Sequence, residues 1–537
     1  MPSQEAVMEK EIANVSIGAR FVSDGDCGTV KYIGEVPPTT GVWLGVEWDI
    51  PDRGKHDGSH QGTRYFQCRS ATSGSFLRPK KADFGIDLTK ALSDRYVPDD
   101  LETGGIDTST MYVQDEKNKV TVVEMVGASM IAKKQSSFEN LQEIDLRETK
   151  VCRTGSEDFL KKLPNITELN ISKNLIPSWE EVSKMTRQMP KLILLNLSEN
   201  RLVLPSNPVS LATAFSRLQD LVLNNMDLDW EQVMVCAPMW PQLRKLFLCY
   251  NKIAAINRVQ ADLFQHLELL NLESNQITDW QQVNLLGHLP KLQSLLLAYN
   301  PLSCIAFHDV PVGQKTALFP HLHMLSISHC KVNEWDSFNE LDKLQRLKDL
   351  RYKKNPILDG IQLERAEERV IAKIAGLTHM NRCQVFEDDR KGAELVYLKT
   401  FCADWLKSGG SREPAKSKPS QQFLEDHPRY EKLVQLYGAA EDSEMRNQTS
   451  ALKDTLIVMK IRCPDDPSKR ELTKKLPGGM EVTKLKSLLH RLYKIDVSGQ
   501  KLSYISHKAG QEIELDNDLR PINYFSIETG DTLLVRW

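Results

Sequence analysis

The stretch with the most chemical promise is Gly54-Lys55-His56-Asp57-Gly58-Ser59, in which a lysine, a histidine and a carboxylate sit between glycines. From Arg53 to Lys80, six basic residues (Arg53, Lys55, Arg64, Arg69, Arg78 and Lys80) face a single acid, Asp57. Trp43, Trp48, Phe66 and Phe76 lie close by in the chain. A basic rim beside aromatic rings suits a peptide that brings carboxylates and a ring of its own. Other chemistries fit worse. Gly54-Lys55 lacks the spaced earlier glycine and the following Ser or Thr of a phosphate-cradling loop. His56 and His60 have no cysteine at a zinc-ligand spacing. No Ser/His/Asp, Cys/His or paired-carboxylate signature stands out, so neither catalytic residue, metal nor cofactor is expected. The plainer alternative is that these aromatics are simply the core of a tiny domain and the glycines its turns.

The elements that must position this loop are short. Glycines at 18, 25, 28, 34, 41, 45, 54, 58, 62 and 74 separate runs such as Thr29-Val30-Lys31-Tyr32-Ile33 and Val42-Trp43-Leu44. That pattern predicts a small, strongly bent antiparallel sheet. The module, assigned to residues 10–85, resembles the CAP-Gly domain, with His56 where the family's Gly-Lys-Asn-Asp-Gly loop has Asn. The resemblance implies binding of the acidic, aromatic-ended carboxyl terminus of α-tubulin or of microtubule plus-end proteins. It implies a site of Trp43, Trp48, Gly54, Lys55, His56, Asp57, Gly58, Phe76 and Arg78. In it Lys55 and Arg78 meet carboxylates, while Trp43, Phe76 and Trp48 line the aromatic slot. His56 is charged only near or below its ordinary pKa of ~6.5, so tail binding is expected to strengthen as the pH falls from neutral.

From Leu141 to Ile357 the pattern Leu-x-x-Leu-x-Leu-x-x-Asn-x-Leu recurs in nine copies, beginning at Leu141, Ile166, Leu192, Leu218, Leu243, Leu267, Leu292, Leu322 and Leu347. The spacings are 25, 26, 26, 25, 24, 25, 30 and 25 residues, which predicts a leucine-rich-repeat solenoid over 136–360. Cys330 occupies one Asn position. Alternation along each short strand turns two residues per copy to the concave face. Reading those positions gives polar ends and a middle carrying Leu194, Val222, Phe247, Leu269, Leu296 and Met324, a predicted partner-binding patch. Mutual packing of these side chains over the sheet is the alternative. Trp179, Trp230, Trp280 and Trp335 recur in the return segments and are expected to pack the convex side.

The remaining chain divides into a connector at 86–135, a helical repeat cap at 361–405, a linker at 406–452 and a carboxyl-terminal module at 453–537. A strand over Lys119–Val126 is expected to cover the first repeat. Ser408–Ser420 has linker composition, and a short helix is expected around Tyr430–Tyr437. The last module reads β-β-α-β-β, with Val482, Leu485, Leu489 and Leu492 on one helix face, and resembles a ubiquitin-like β-grasp domain. It ends in Arg536-Trp537 rather than Gly-Gly, so docking rather than conjugation is expected.

A net charge of −3 gives no reason to expect nucleic acid. No apolar run approaches the ~20 residues that span a membrane, and the Glu-rich start lacks a signal-peptide core. Ten scattered cysteines fit reduced thiols. The expectation is a cytoplasmic, cytoskeleton-associated multidomain protein: a small β-rich CAP-Gly domain, an α/β repeat solenoid and an α+β ubiquitin-like domain. That order resembles the family of tubulin-folding cofactors. It implies a non-enzymatic chaperone that binds the tail and folded body of α-tubulin and works with other tubulin-folding cofactors in assembling and dismantling the α/β heterodimer. It also implies a link to the proteasome or ubiquitin pathway through the ubiquitin-like domain. The alternative is a microtubule plus-end scaffold, but such proteins usually add a coiled coil and no sustained heptad run appears.

Overall fold

The computed structural model describes residues 15–96, 112–114, 120–122, 138–161, 163–441, 456–466, 468–507, 510, 512–518, 520–525 and 527–537. Residues 99–105 of the connector lie outside them.

The amino-terminal sheet is antiparallel, in the order Arg20–Ser23, Asp26–Val36, Thr39–Trp48 and Gly74–Leu77. Alternation along these strands turns Phe21, Val30, Leu44, Val46 and Trp48 into one small core. The chain then forms a short strand, Ile86–Asp87, parallel to Val151–Arg153, and a helix, Leu88–Tyr96. That helix buries Leu88, Ala91 and Leu92 in the core of the solenoid. It covers the open end in place of the strand expected over Lys119–Val126. The described part of that strand, Val120–Val122, pairs instead with Tyr112–Gln114 in a separate two-stranded sheet.

All nine repeat strands, from Glu143–Asp145 to Asp349–Arg351, join one parallel ladder. At the Asn position the amide satisfies backbone carbonyls that the tight turn leaves unpaired. Asn200 Nδ2 donates to the carbonyls of Ile171 and Leu197, both at 2.9 Å. Asn355 does the same to Ile327 and Tyr352, at 2.9 and 2.8 Å. Cys330 substitutes with its thiol, Sγ lying 3.4 Å from the Leu297 carbonyl oxygen. On the return segments Trp179, Trp230 and Trp280 each open a helix and are at most 2% exposed. Ser178, Asp229 and Asp279 accept the first orphan amide bonds of those helices.

A tenth strand, His379–Met380, and an antiparallel eleventh, Cys383–Gln384, finish the sheet beyond the nine copies. This last coil has no Asn-x-Leu half because Asn381 and Arg382 adopt φ of 51° and 74° and reverse the chain. Helices Leu363–Lys373 and Glu387–Lys407 follow.

The segment expected as a linker is structured through much of its length. Ser417–Tyr437 belongs to the same compact unit as the solenoid and contains helices Gln421–Asp426 and Tyr430–Tyr437. Phe423, Tyr430 and Leu433 are buried. Lys373 Nζ donates to Asn339 Oδ1 at 2.7 Å and to the Asp426 carbonyl at 2.8 Å. Arg429 pairs with the buried Glu394 at 2.8 Å. The helix expected around Tyr430–Tyr437 is present; polar composition concealed the rest, part of whose anchoring is by buried hydrogen bonds.

Residues 398–416 and 438–537 make a second compact unit. Its five-stranded sheet runs Leu472–Pro477, Leu456–Arg462, Thr532–Arg536, Lys501–Ile505, Glu512–Glu514, with the pair Leu456–Arg462 and Thr532–Arg536 parallel. Helix Val482–Tyr493 buries Val482, Leu485, Leu489 and Tyr493 against it, and Leu492 is only partly buried. This is a β-grasp arrangement.

Candidate functional site: an aromatic groove and a concave sheet face

The groove is built by two loops pinned to the last strand of the small sheet. Lys55 N donates to the Gly74 carbonyl at 2.7 Å, and Gly74 N donates back to that of His56 at 2.7 Å. Gly58 has φ of 101°, and a Cβ there would stand 2.1 Å from the Phe66 carbonyl oxygen, so glycine is required. Asp57 accepts from Ser59 N at 3.1 Å and from Arg64 at 2.7 Å. The Ser59 amide is the first cause holding its carboxyl below the usual range.

Phe76 is the hub of the aromatic cluster. His56, Tyr65, Phe66 and His60 ring it at 5.1, 5.4, 5.6 and 6.0 Å, and Tyr32 meets Tyr65 at 5.3 Å. Tyr32, His60 and Tyr65 were not among the binding residues expected from sequence, and Phe66 was noted only as a nearby ring. Their signal was present in the β-branched and aromatic runs, but only the fold brings these rings together. Trp43 is half-buried, with the Arg78 guanidinium stacked 3.8 Å over its ring.

Three expectations change here. Trp48 is not in the groove: it is 1% exposed, packs edge-on against Phe21 and donates from Nε1 to Ser75. The strand's alternation puts it on the core face. Arg78 donates to the Val42 and Thr40 carbonyls at 3.2 and 3.0 Å, so it braces Trp43 instead of standing free for a carboxylate. His56 is set up to be neutral. Its Nδ1 lies 3.1 Å from the Gly58 amide nitrogen, which donates to it, and burial followed by the nearby His60 lowers its pKa.

The basic rim is also thinner than its residue count. Arg53 pairs with Asp26, Arg64 with Asp57, and Arg69 with Glu47 and Asp227. Lys55 is exposed and forms no ion pair with any described residue.

On the solenoid, the ladder sets the concave side chains in two rows. One row runs Leu194, Asp220, Lys245, Leu269, Ser294, Met324. The other runs Asn196, Val222, Phe247, Asn271, Leu296, Ser326. All six predicted apolar residues are half-buried. Polar residues interrupt them along both rows. Asp220 and Lys245 form an ion pair at 2.8 Å between Leu194 and Leu269, and within either row only Val222 and Phe247 are apolar neighbours. Two exposed aromatics were missed. Tyr250 and Tyr299 are 64% and 55% exposed, each one residue before an Asn position and in the left-handed conformation. Tyr299 stacks on His329 at 4.2 Å.

Comparison with known proteins places this architecture. Residues 17–82 match the CAP-Gly domain and residues 241–302 the leucine rich repeat. The carboxyl-terminal part is 49% identical to the solved ubiquitin-like domain of mouse tubulin-specific chaperone e, covering 17% of this chain and 93% of that one at a TM-score of 0.16. Tubulin-specific chaperone E of Mus musculus is 44% identical over 97% of this chain and 98% of its own length. That of Danio rerio is also 44% identical, over 97% of this chain and 99% of its own. The chain belongs to the tubulin-specific chaperone E family.

Proposed function

We propose that this protein is a tubulin-folding chaperone whose amino-terminal groove takes the acidic, aromatic-ended tail of α-tubulin while the concave solenoid holds the folded body. The observation that carries this reading is the exposed, unpaired Lys55 beside the Phe76 ring cluster. An ammonium group and a pocket of aromatic edges fit a carboxylate followed by a ring. On the solenoid, Val222 and Phe247 supply apolar contact beside the Asp220–Lys245 pair, and the carboxylates of the outer copies give a polar rim. The work is binding: the protein acts with other tubulin-folding cofactors in the cytoplasm on assembly and disassembly of the heterodimer, with no catalytic residue of its own. The ubiquitin-like domain serves as a docking module toward the degradation machinery.

The test mixes the pure chain with α/β-tubulin, with and without the terminal aromatic residue of the α subunit, and follows heterodimer integrity. Capture weakened by removal of that residue is the expected result. No interaction with either form overturns the proposal.

A further inference from the structure

One position of the repeat is put to a use that its consensus does not require. The residue immediately after the Asn position is Lys150, Leu175, Arg201, Asp227 and Lys252 in the first five copies. The amino-terminal domain lies along this row. Lys150 pairs with Asp83 at 2.8 Å, and Asp227 pairs with Arg69 at 2.9 Å and with Lys252 at 3.6 Å. Arg201 donates to the Asn225 carbonyl at 2.8 Å and lies within the electrostatic reach of both Asp49 and Asp227. Backbone closes the same seam. Ile86 N donates to the Lys150 carbonyl at 3.0 Å, and the Ile86–Asp87 strand joins Val151–Arg153. Gly85, at φ of 76°, sits so close that a Cβ would stand 2.0 Å from the Lys150 carbonyl oxygen. Asp145 N donates to the Tyr96 hydroxyl at 3.0 Å from the helix that follows.

These contacts divide the labour. Exposed ion pairs contribute only ~0–1 kcal/mol each, so the charged row sets register. Strand pairing and the buried helix face hold the domain in place. Arg69 also reaches Glu47, and its segment bonds to the groove loop through Cys68 N and the Asp57 carbonyl at 3.2 Å. The groove is therefore supported from the solenoid side.

We propose that the amino-terminal domain and the solenoid form one clamped, rigid client-binding body, and that this fixed angle makes the two tubulin contacts reinforce each other. A flexible tether would spread the second site over a large volume, whereas a matched rigid spacing concentrates it. The avidity half of this proposal rests on the tubulin reading above; the clamp itself does not.

The experiment uses the full chain with nitroxide-bearing non-natural residues at positions 61 and 235, both exposed. Wild type should give one narrow distance distribution, unchanged between low and high salt. The variant Gly85→Val with Asp227→Lys should give a broad one. That variant should bind free tail peptide as wild type does, showing a folded groove, yet capture the heterodimer at least tenfold more weakly. A broad distribution in wild type, or a narrow one in the variant, overturns the clamp. Heterodimer capture within twofold of wild type by a variant with a broad distribution overturns the avidity claim. A narrow wild-type distance with no binding of peptide or heterodimer supports the clamp and overturns the tubulin reading instead.

Discussion

As the proposed binding surfaces, the groove and the concave face would hold a ligand by opposite means. The groove is assembled from loops, and beside its glycines, ring cluster and internal ion pairs Lys55 is exposed and forms no ion pair with any described residue. The concave face is assembled from nine repeat strands, and its character is spread over two rows whose apolar side chains are half-buried. A single substitution should therefore disable the groove, whereas the solenoid should lose affinity by degrees. The difference follows from geometry: irregular loops concentrate function in a few atoms, and a periodic sheet distributes it.

The sharpest way to break this contrast is Gly58→Val. A β-branched residue cannot adopt φ of 101° and would meet the Phe66 carbonyl, so the groove should collapse. Loss of tail-peptide binding with an intact solenoid transition in calorimetry is expected. Lys55→Glu comes next. Losing a charge-assisted hydrogen bond worth ~1.5–3 kcal/mol should weaken peptide binding roughly 10–100-fold without changing stability. Phe247→Asp should weaken heterodimer capture by about 1–2 kcal/mol, because a half-buried ring contributes its apolar contact but no structural slot of the repeat. If that variant unfolds the solenoid in a thermal melt, the ring is core and the distributed surface is misread.

The smallest effects are those of pH. His56 already accepts from Gly58 N and its pKa is lowered, so peptide affinity should stay flat between mild acid and neutral pH. The affinity gain on acidification expected from the isolated residue is not expected from the folded groove. Lys373 behaves differently. Burial, then the nearby Arg369, brings its pKa from 10.5 down to about 7, with Asp336 and Asp426 opposing; His427 and Tyr397 also flank it. The unfolded chain then holds that proton more tightly, so stability should rise as pH climbs from about 7 toward 10.5 and stay level in this respect below about 7. Melting the wild type and Lys373→Met across that range should show the slope in the first and its loss in the second.

Legibility in the sequence followed periodicity and motif. The nine strands and the tryptophan-opened helices could be placed because a fixed period repeats the same packing problem. The concave rows could be located the same way, but the Asp220–Lys245 pair appeared only when the cross-strand register was in hand. The groove loop was visible as a motif, whereas Tyr32 and Tyr65 enter it from separate segments. Trp48 and Arg78 were misplaced because residue type does not say which face of a strand is core or which cation is already engaged. The segment 417–429 was hidden for a third reason: beside the buried Phe423, part of its anchoring is by polar bonds, and composition counts those residues as solvent-exposed.

The most direct test of the account is calorimetric titration of a peptide ending in Glu-Glu-Tyr into the full chain, beside Lys55→Glu and Phe76→Ala. Saturable one-to-one binding by wild type, lost at least tenfold in both variants, is the predicted result. Binding that is absent in wild type, or equal in all three, would contradict it.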